Sequence, residues 1–310
     1  MKKVQKIKSR LTQISNVKYE KGLFEAHKTN TPLDGLFSID GGVPKATNWM
    51  VVGDPGVGKS TGSPTTIQLV GDPGVGKSTV TLDIIANAKK TGSKVLFISA
   101  EMNQVDLYLY VKRYPKFGEL DIFFPQEIED NECPKQVLEE ILDEGYDIVL
   151  TDSFIELQET IRESGRMTRN SSEKYLLDLM YKHNLGANKG KHFTAFLNIQ
   201  QVNKGGSFVG SNKLKHMTTG MMEIRFVDER DQEERYVTFS KNRRGHVGKQ
   251  MYFDLSASGN VTYDTERFKK AEGLKQLKKA EKEKIKKSGL QFDALFGLDK
   301  DQEEGETTNK

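Results

Sequence analysis

The same ten residues, Val-Gly-Asp-Pro-Gly-Val-Gly-Lys-Ser-Thr, occur twice in this chain of 310 residues, ending once at Thr61 and again at Thr79. Both copies satisfy G-x-x-x-x-G-K-[ST], a spacing that lets a loop backbone curl around an anion while a lysine and a hydroxyl approach it. In the second copy the segment Gly71, Asp72, Pro73, Gly74, Val75 and Gly76 supplies the cradle. Lys77 would reach β/γ-phosphate oxygens, Ser78 would offer its hydroxyl to Mg²⁺, and Thr79 closes the set. A Gly-rich turn with an incidental lysine is the plainer alternative. An apolar strand before the loop and a long helix after it argue instead for a nucleoside triphosphate, read as ATP with Mg²⁺.

The copies differ in their downstream neighbours. After Lys59 the chain meets Gly62 and Pro64 and then another Gly/Pro-rich loop, which leaves no room for a helix longer than about a turn. After Lys77 come Ser78 to Lys90, apolar on most faces, so a helix N-terminus can add its amides and dipole to the anion. Lys77 is therefore the expected working lysine and Lys59 the alternative. The repeat has an offset of 18 residues between Thr47–Thr61 and Thr65–Thr79, too short and local for a solenoid. It reads as a tandem duplication of one strand and loop, and only one copy can fill the central strand of a sheet.

Further residues could complete the chemistry. Gly145 to Asp152 is an apolar strand ending in a carboxylate, suited to holding the Mg²⁺ shell together with Ser78; a helix N-cap is the alternative for Asp152. Lys94 to Glu101 is a second such strand, and Glu101 at its end could take a proton from an attacking water, or be a solvated loop residue. His192 to Ile199 runs into Gln200, an amide placed to sense a γ-phosphate. The segment Asn203 to Lys215 is Gly-rich and basic with one aromatic, Phe208, a composition suited to nucleic-acid phosphate or to a plain surface loop. Ser240 to Gly245 ends a strand with Lys241, Arg243 and Arg244, which could also be a charged hairpin turn.

Short apolar runs alternating with amphipathic ones position these groups on an α/β scaffold. Strands are expected at Thr66–Val70, Lys94–Ser99, Asp147–Thr151, His192–Ile199, Met222–Val227, Tyr236–Ser240 and Gln250–Leu255, the early ones parallel and the late ones an antiparallel meander. Helices are expected at Ser78–Lys90, Gln104–Tyr114, Pro134–Asp143 and Ser172–Asn184. The one cysteine, Cys133, excludes a disulfide framework or a four-cysteine zinc module and points to a reducing compartment; as a residue it reads as a small buried hydrophobe. No apolar run approaches a membrane span, so the chain is expected to be soluble, without membrane contact.

The order TPLDGLFSIDGG, GDPGVGKST, VLFISAEM, DIVLTDS, FLNIQQVNKGG and KNRRG resembles the RecA-like ATPase core of the RadA/Sms DNA-repair proteins, with the DnaB-type replicative helicases as relatives. The most specific piece, Lys241 to Gly245, is similar to the KNRFG motif of RadA/Sms with Arg244 in the Phe position. The resemblance implies a RecA-like P-loop NTPase fold: a central, mostly parallel sheet with helices on both faces and an antiparallel extension. It also implies that Glu101, Asp152, Gln200, Lys241 and Arg243 are catalytic, the last two acting in trans on a neighbour's γ-phosphate in a homo-oligomeric ring or filament. DNA, most simply single-stranded, would be the partner. A four-cysteine finger, a protease-like domain and a helicase collar are not seen, so the chain is expected to be a stand-alone, phage-like core working in a bacterial or phage-infected host cytoplasm.

The resulting organisation is a basic segment at 1–30, the ATPase core at 31–264 with the duplication at 47–79, a Lys-rich solvated helix at 265–289 and an acidic tail at 290–310. Residues 265–289 hold ten Lys/Arg and four Glu, and residues 290–310 two Lys and six Asp/Glu, so residues 1–264 together sum to about +1. Gln291, Leu295 and Phe296 loosely resemble sliding-clamp-binding peptides. The function expected is a DNA-dependent ATPase of recombination or repair that moves on or remodels DNA. A replicative helicase motor and an ATP-switched DNA-binding module are the alternatives; a base at Glu101 and trans cations favour the motors over the switch.

Overall fold

The computed structural model describes residues 21–53, 74–129, 131–186, 192–200, 212–228, 232–256 and 260–296. The chain up to Tyr263 forms one compact unit and the chain from Asp264 a second. The first unit opens with a small ribbon, β1 (Ala26–His27) against β2 (Val43–Pro44), with the short helix α1 (Asp34–Phe37) between them. Asp34 secures that entry by accepting from the Thr29 hydroxyl at 2.6 Å and from the Asn30 amide at 3.0 Å.

There follow β3 (Asn48–Gly53), α2 (Lys77–Lys90), β4 (Val95–Ser99), α3 (Gln104–Arg113), β5 (Asp121–Phe123), α4 (Pro134–Asp143), β6 (Ile148–Asp152), α5 (Phe154–Ser164), α6 (Arg169–Asn184) and β7 (Ala195–Ile199). The unit ends with α7 (Asn212–Met217), β8 (Gly220–Phe226), β9 (Arg235–Asn242), β10 (Met251–Leu255) and β11 (Val261–Tyr263). The strands form a nine-stranded sheet in the order β11-β10-β9-β8-β3-β7-β6-β4-β5. From β8 to β5 all neighbours are parallel, and from β8 outward to β11 all are antiparallel. This is the expected α/β architecture.

The central slot belongs to the first copy of the duplication. Thr66–Val70, the strand expected there, lies outside the described residues, and β3 pairs with β7 on one side and β8 on the other. Side-chain chemistry explains the choice. Trp49, Met50 and Val51 are fully buried, and the repeat puts Gln68 where Met50 stands, an amide whose burial without partners would cost about 1–3 kcal/mol. Trp49 packs edge-on against Phe37 and Phe239 at 5.2 and 5.5 Å and donates its indole N–H to the Thr47 hydroxyl at 2.7 Å. Gly220 on β8 makes room for it, since a Cβ there would stand 2.2 Å from the indole ring.

Met50 and Val52 belong to a core cluster with α4, α5 and α6, including Leu138, Phe154, Leu157 and Leu176. The alternate residues Trp49 and Val51 are equally buried but face the other way. There α2 packs against the sheet, buried from Thr79 to Ala86. Lys89 and Lys90 end α2 on its negative dipole end, and Gly92 turns the chain at φ 98°.

Apart from Thr66–Val70, which lies outside the described residues, the expected strands and helices occur with ends displaced by up to three residues. Beyond these, β1, β2, β3, β5, β11, α1, α5 and α7 are additional; β5 is three residues long, and in α5 the buried Phe154, Leu157 and Ile161 repeat with a helical period. Cys133 corrects its reading, being exposed because it precedes Pro134 at the surface start of α4. In the second unit the helix α8 (Thr265–Phe296) runs without a break through Gln291, Leu295 and Phe296. Leu274, Leu277 and Ile285 are exposed on it, so its loose apolar spacing is not a buried face. Among the described residues no helix is long and apolar enough to cross a membrane.

Candidate nucleotide site

A parallel sheet brings the ends of its strands to one edge, and the crevice beyond that edge is where open α/β folds bind ligands. Here β3, β7, β6 and β4 are consecutive neighbours, so Gly53, Gln200, Asp152 and Glu101 share that edge. The helix after β3 begins at Lys77. Gly53 closes against it: a Cβ on Gly53 would stand 2.8 Å from the Val75 side chain and 3.0 Å from the Lys77 side chain. The site is thus composite, with the strand of the first copy meeting the helix of the second. Lys59, Gly71, Asp72 and Pro73 lie outside the described residues.

Gly74, Val75 and Gly76 lead into α2. Gly76 caps the helix in the left-handed region at φ 94°, which favours glycine there, and a Cβ would also meet the tip of the Leu255 side chain at 2.6 Å. In the first turn of α2 the N–H groups of Ser78 and Thr79 have no intrahelical acceptor, which suits them to an anion. The Thr79 hydroxyl is engaged elsewhere, with the Tyr110 hydroxyl of α3, so Thr79 has only its backbone to offer a phosphate.

Ser78 donates to Asp152 at 2.5 Å. Asp152 is buried, and that burial pushes its pKa up from 3.8 to about 6; the Ser78 hydrogen bond opposes the rise, the Glu101 charge adds to it and the Lys77 charge opposes it. The two strand ends are joined by backbone bonds, with the Ala100 and Glu101 amides donating to the Asp152 carbonyl at 2.7 and 3.0 Å. Glu101 is exposed at the rim and Gln200 is buried beside β3, its backbone N–H donating to the Val51 carbonyl at 2.9 Å.

The donor set fits a nucleotide with its cation. Among the described residues no cluster of three or more His, Cys, Asp or Glu could hold a metal by itself. Ser78 and Asp152 are two hard oxygen donors at a helix N-terminus, the arrangement that suits Mg²⁺ sharing phosphate oxygens.

Lys241 and Arg243 are not brought to this edge. β9 ends where β8 begins, with Asn242 opposite Gly220, and Gly220 is level with Trp49. Lys241 is level with Met50, three residues before Gly53 on β3, and Arg243 lies beyond the level of Trp49, so the two cations start about 10 Å and more than about 13 Å away along the strands, toward the opposite edge. There Lys241 donates to the His216 and Thr218 carbonyls at 3.2 and 2.6 Å, and Arg243 to the His216 carbonyl at 3.3 Å, at the C-terminal end of α7. The Asn and Gly of this turn are architectural. Asn242 accepts from the Arg244 and Gly245 amides at 2.8 Å and donates to the Leu36 carbonyl at 2.9 Å. Gly245 packs so closely on α1 that a Cβ would stand 2.7 Å from the Phe37 carbonyl. Of the basic segment Asn203 to Lys215, residues 203–211 lie outside the described residues and the remainder enters α7.

No family model matches the chain. It is 28% identical over 224 residues to a DNA repair protein RadA of Campylobacter jejuni, covering 72% of this chain and 43% of that protein. It is 25% identical over 239 residues to a DNA repair protein RadA of Aquifex aeolicus, covering 76% and 46%. In sequence the chain is similar to these RadA proteins, and its fold is that of RecA-like P-loop proteins. It spans less than half the length of these two relatives. Among solved structures it is similar to a KaiC-like protein, PH0186, of Pyrococcus horikoshii, with TM-score 0.54, 15% identity, and coverage of 77% of this chain and 99% of that one. The flagellar accessory protein FlaH of Methanocaldococcus jannaschii gives TM-score 0.53 at 13% identity, with coverage of 77% and 99%. At those identities the likeness is one of fold.

Proposed function

We propose that this chain is an oligomeric, DNA-dependent ATPase of recombination or repair, whose turnover drives movement on DNA or its remodelling. The observation that carries the reading is the Ser78–Asp152 pair at 2.5 Å, set at the N-terminus of α2 beside Lys77 and within electrostatic reach of Glu101. The RadA-like sequence supplies the DNA side of the reading.

In this reading the first-turn amides of α2 and the Lys77 ammonium hold the phosphates of ATP, and Ser78 with Asp152 holds Mg²⁺. The bound cation would neutralise charge on the β/γ oxygens. Glu101, exposed at the rim, accepts a proton from the attacking water as oxygen bonds to the γ-phosphorus and the bridging oxygen leaves with ADP. Gln200, on the strand between β3 and β6, is the candidate sensor of that change. Lys241 and Arg243 lie too far along the strands to serve their own loop, which supports a role in trans on the next subunit. An exposed base favours turnover over a nucleotide switch, because a switch has no use for one.

An ATPase titration tests the reading. Turnover per chain should rise with protein concentration, as active interfaces assemble, and rise again with single-stranded DNA. Turnover independent of both would refute the oligomeric DNA-dependent function.

A further inference from the structure

The water-activating group of this site stands on a four-residue link. β4 ends at Ser99 and α3 begins at Gln104, so Glu101 is held on one side by the Asp152 carbonyl and on the other by α3. The start of α3 is well formed, with the Asn103 carboxamide accepting from the Val105 and Asp106 amides at 2.9 Å. Its packing is thin. Every residue of α3 keeps some exposure, and Val105 and Tyr108 are more than two-thirds exposed. Beneath it lies a cavity of about 320 Å³ lined by Leu82, Phe97, Leu107, Val111 and Phe117 among others. A helix with so few buried contacts is free to shift unless something specific fixes it.

Two contacts from its far end reach α2. The Tyr110 hydroxyl bonds the Thr79 hydroxyl, and just beyond the helix the Lys116 ammonium bonds the Asp83 carboxylate. Thr79 and Asp83 are four residues apart, hence one above the other on a single face of α2. Tyr110 is braced by Tyr114 at 5.2 Å and by Phe117 at 6.1 Å, with Tyr114 and Phe117 stacked at 5.1 Å, a cluster that fixes the direction of the hydroxyl. Thr79 is itself buried and comes directly after Ser78.

We infer that Tyr110 is a positioning residue: its hydroxyl latches α3 to the phosphate-binding helix, so that Glu101 is presented to the site in register with Lys77 and Ser78. The inference rests on the reading of Glu101 as the base. A displacement of about 1 Å at a reacting group lowers rate by up to about 10²-fold, and the latch is the link that prevents it. It acts on turnover rather than on phosphate binding, since the amides of α2 and Lys77 do not pass through α3.

The test is a set of variants read by steady-state turnover, binding of a fluorescent ATP analogue, and amide hydrogen exchange. Tyr110→Phe and Thr79→Val should each lower kcat several-fold to about 10²-fold while the analogue binds within about twofold of wild type. The double variant should be no worse than either single one, and Thr79→Ser, which keeps the hydroxyl, should restore turnover. In a Glu101→Gln background the Tyr110→Phe loss should vanish. A loss that persists there, or one matched by weaker analogue binding, overturns the latch as a positioning device. Exchange separates the latch from the reading of Glu101. Analogue binding should slow exchange in both α2 and α3 of wild type but only in α2 of Tyr110→Phe, whatever group activates the water. Slowing of α3 in both proteins overturns the latch, whereas normal turnover of Glu101→Gln overturns the base alone.

Discussion

Removing the charge of Asp152 should stabilise the protein while ending its chemistry. Burial raises the Asp152 pKa from 3.8 to about 6, so the folded state favours the protonated acid. For a carboxylate with a raised folded-state pKa, ionisation works against folding: the penalty is absent below about pH 4, grows between 4 and 6, and is constant above. A gap from 3.8 to about 6 corresponds to about 3 kcal/mol at most. Asp152→Asn keeps an oxygen to accept from Ser78 and escapes that penalty. In chelator without nucleotide, the variant should unfold in urea with up to about 3 kcal/mol more stability than wild type at pH 7.5 and with about a third of that advantage at pH 4.5. His27 does not confuse the comparison. Burial lowers its pKa to about 4, so it withdraws stability as pH falls from about 6.5 toward 4, but it does so in both proteins. Mg²⁺-dependent turnover of Asp152→Asn should be lost. A variant less stable than wild type at pH 7.5, or a difference that does not change with pH, would refute the electrostatic account of this site.

The same geometry sets three further outcomes. Lys77→Ala should abolish ATP binding or turnover and Lys59→Ala should leave most of it, while deleting Gly53 to Val70, which joins β3 directly to the second loop, should preserve or raise activity; equal losses from both lysine variants would contradict the composite site. Glu101→Gln should bind ATP normally and hydrolyse it at least about 10²-fold more slowly, as measured by phosphate release. Gly220→Ala should lower stability by about 1–3 kcal/mol or more in a denaturant titration, because a Cβ 2.2 Å from the Trp49 ring forces the centre of the sheet apart.

Most of the scaffold could be read from residue order, because continuous apolar runs such as Val95–Ser99 and Ile148–Asp152 have few places to go other than a buried parallel sheet. The location of Lys77, Ser78, Asp152 and Glu101 on one edge comes from strands that end in functional residues. The identity of the central strand was not legible, since the two copies offer similar runs and only pairing with Gly220 and the Phe37–Phe239 aromatics selects Trp49 over Ile67. The helix α5 left a signal, Phe154, Leu157 and Ile161 at helical spacing after Ser153, that the candidate N-cap role of Asp152 obscured. The Tyr110–Thr79 bond left none, being a contact between residues 31 positions apart in two helices. The separation of Lys241 and Arg243 from the loop likewise depends on β9 running antiparallel to β8, a property of pairing rather than of any local pattern.

That separation makes mixing of inactive variants the most direct test of the central claim. Lys77→Ala and Arg243→Ala should each be inactive alone, one lacking the phosphate-binding lysine and the other the cation offered to a neighbour. Mixed oligomers contain interfaces where an intact loop faces an intact Arg243, and since a trans arginine is worth about 10³–10⁵ in rate, even a small fraction of such interfaces should restore measurable ATPase. Activity should peak at intermediate mixing ratios. No recovery at any ratio, with mixed oligomers present by light scattering, would contradict a site completed between subunits.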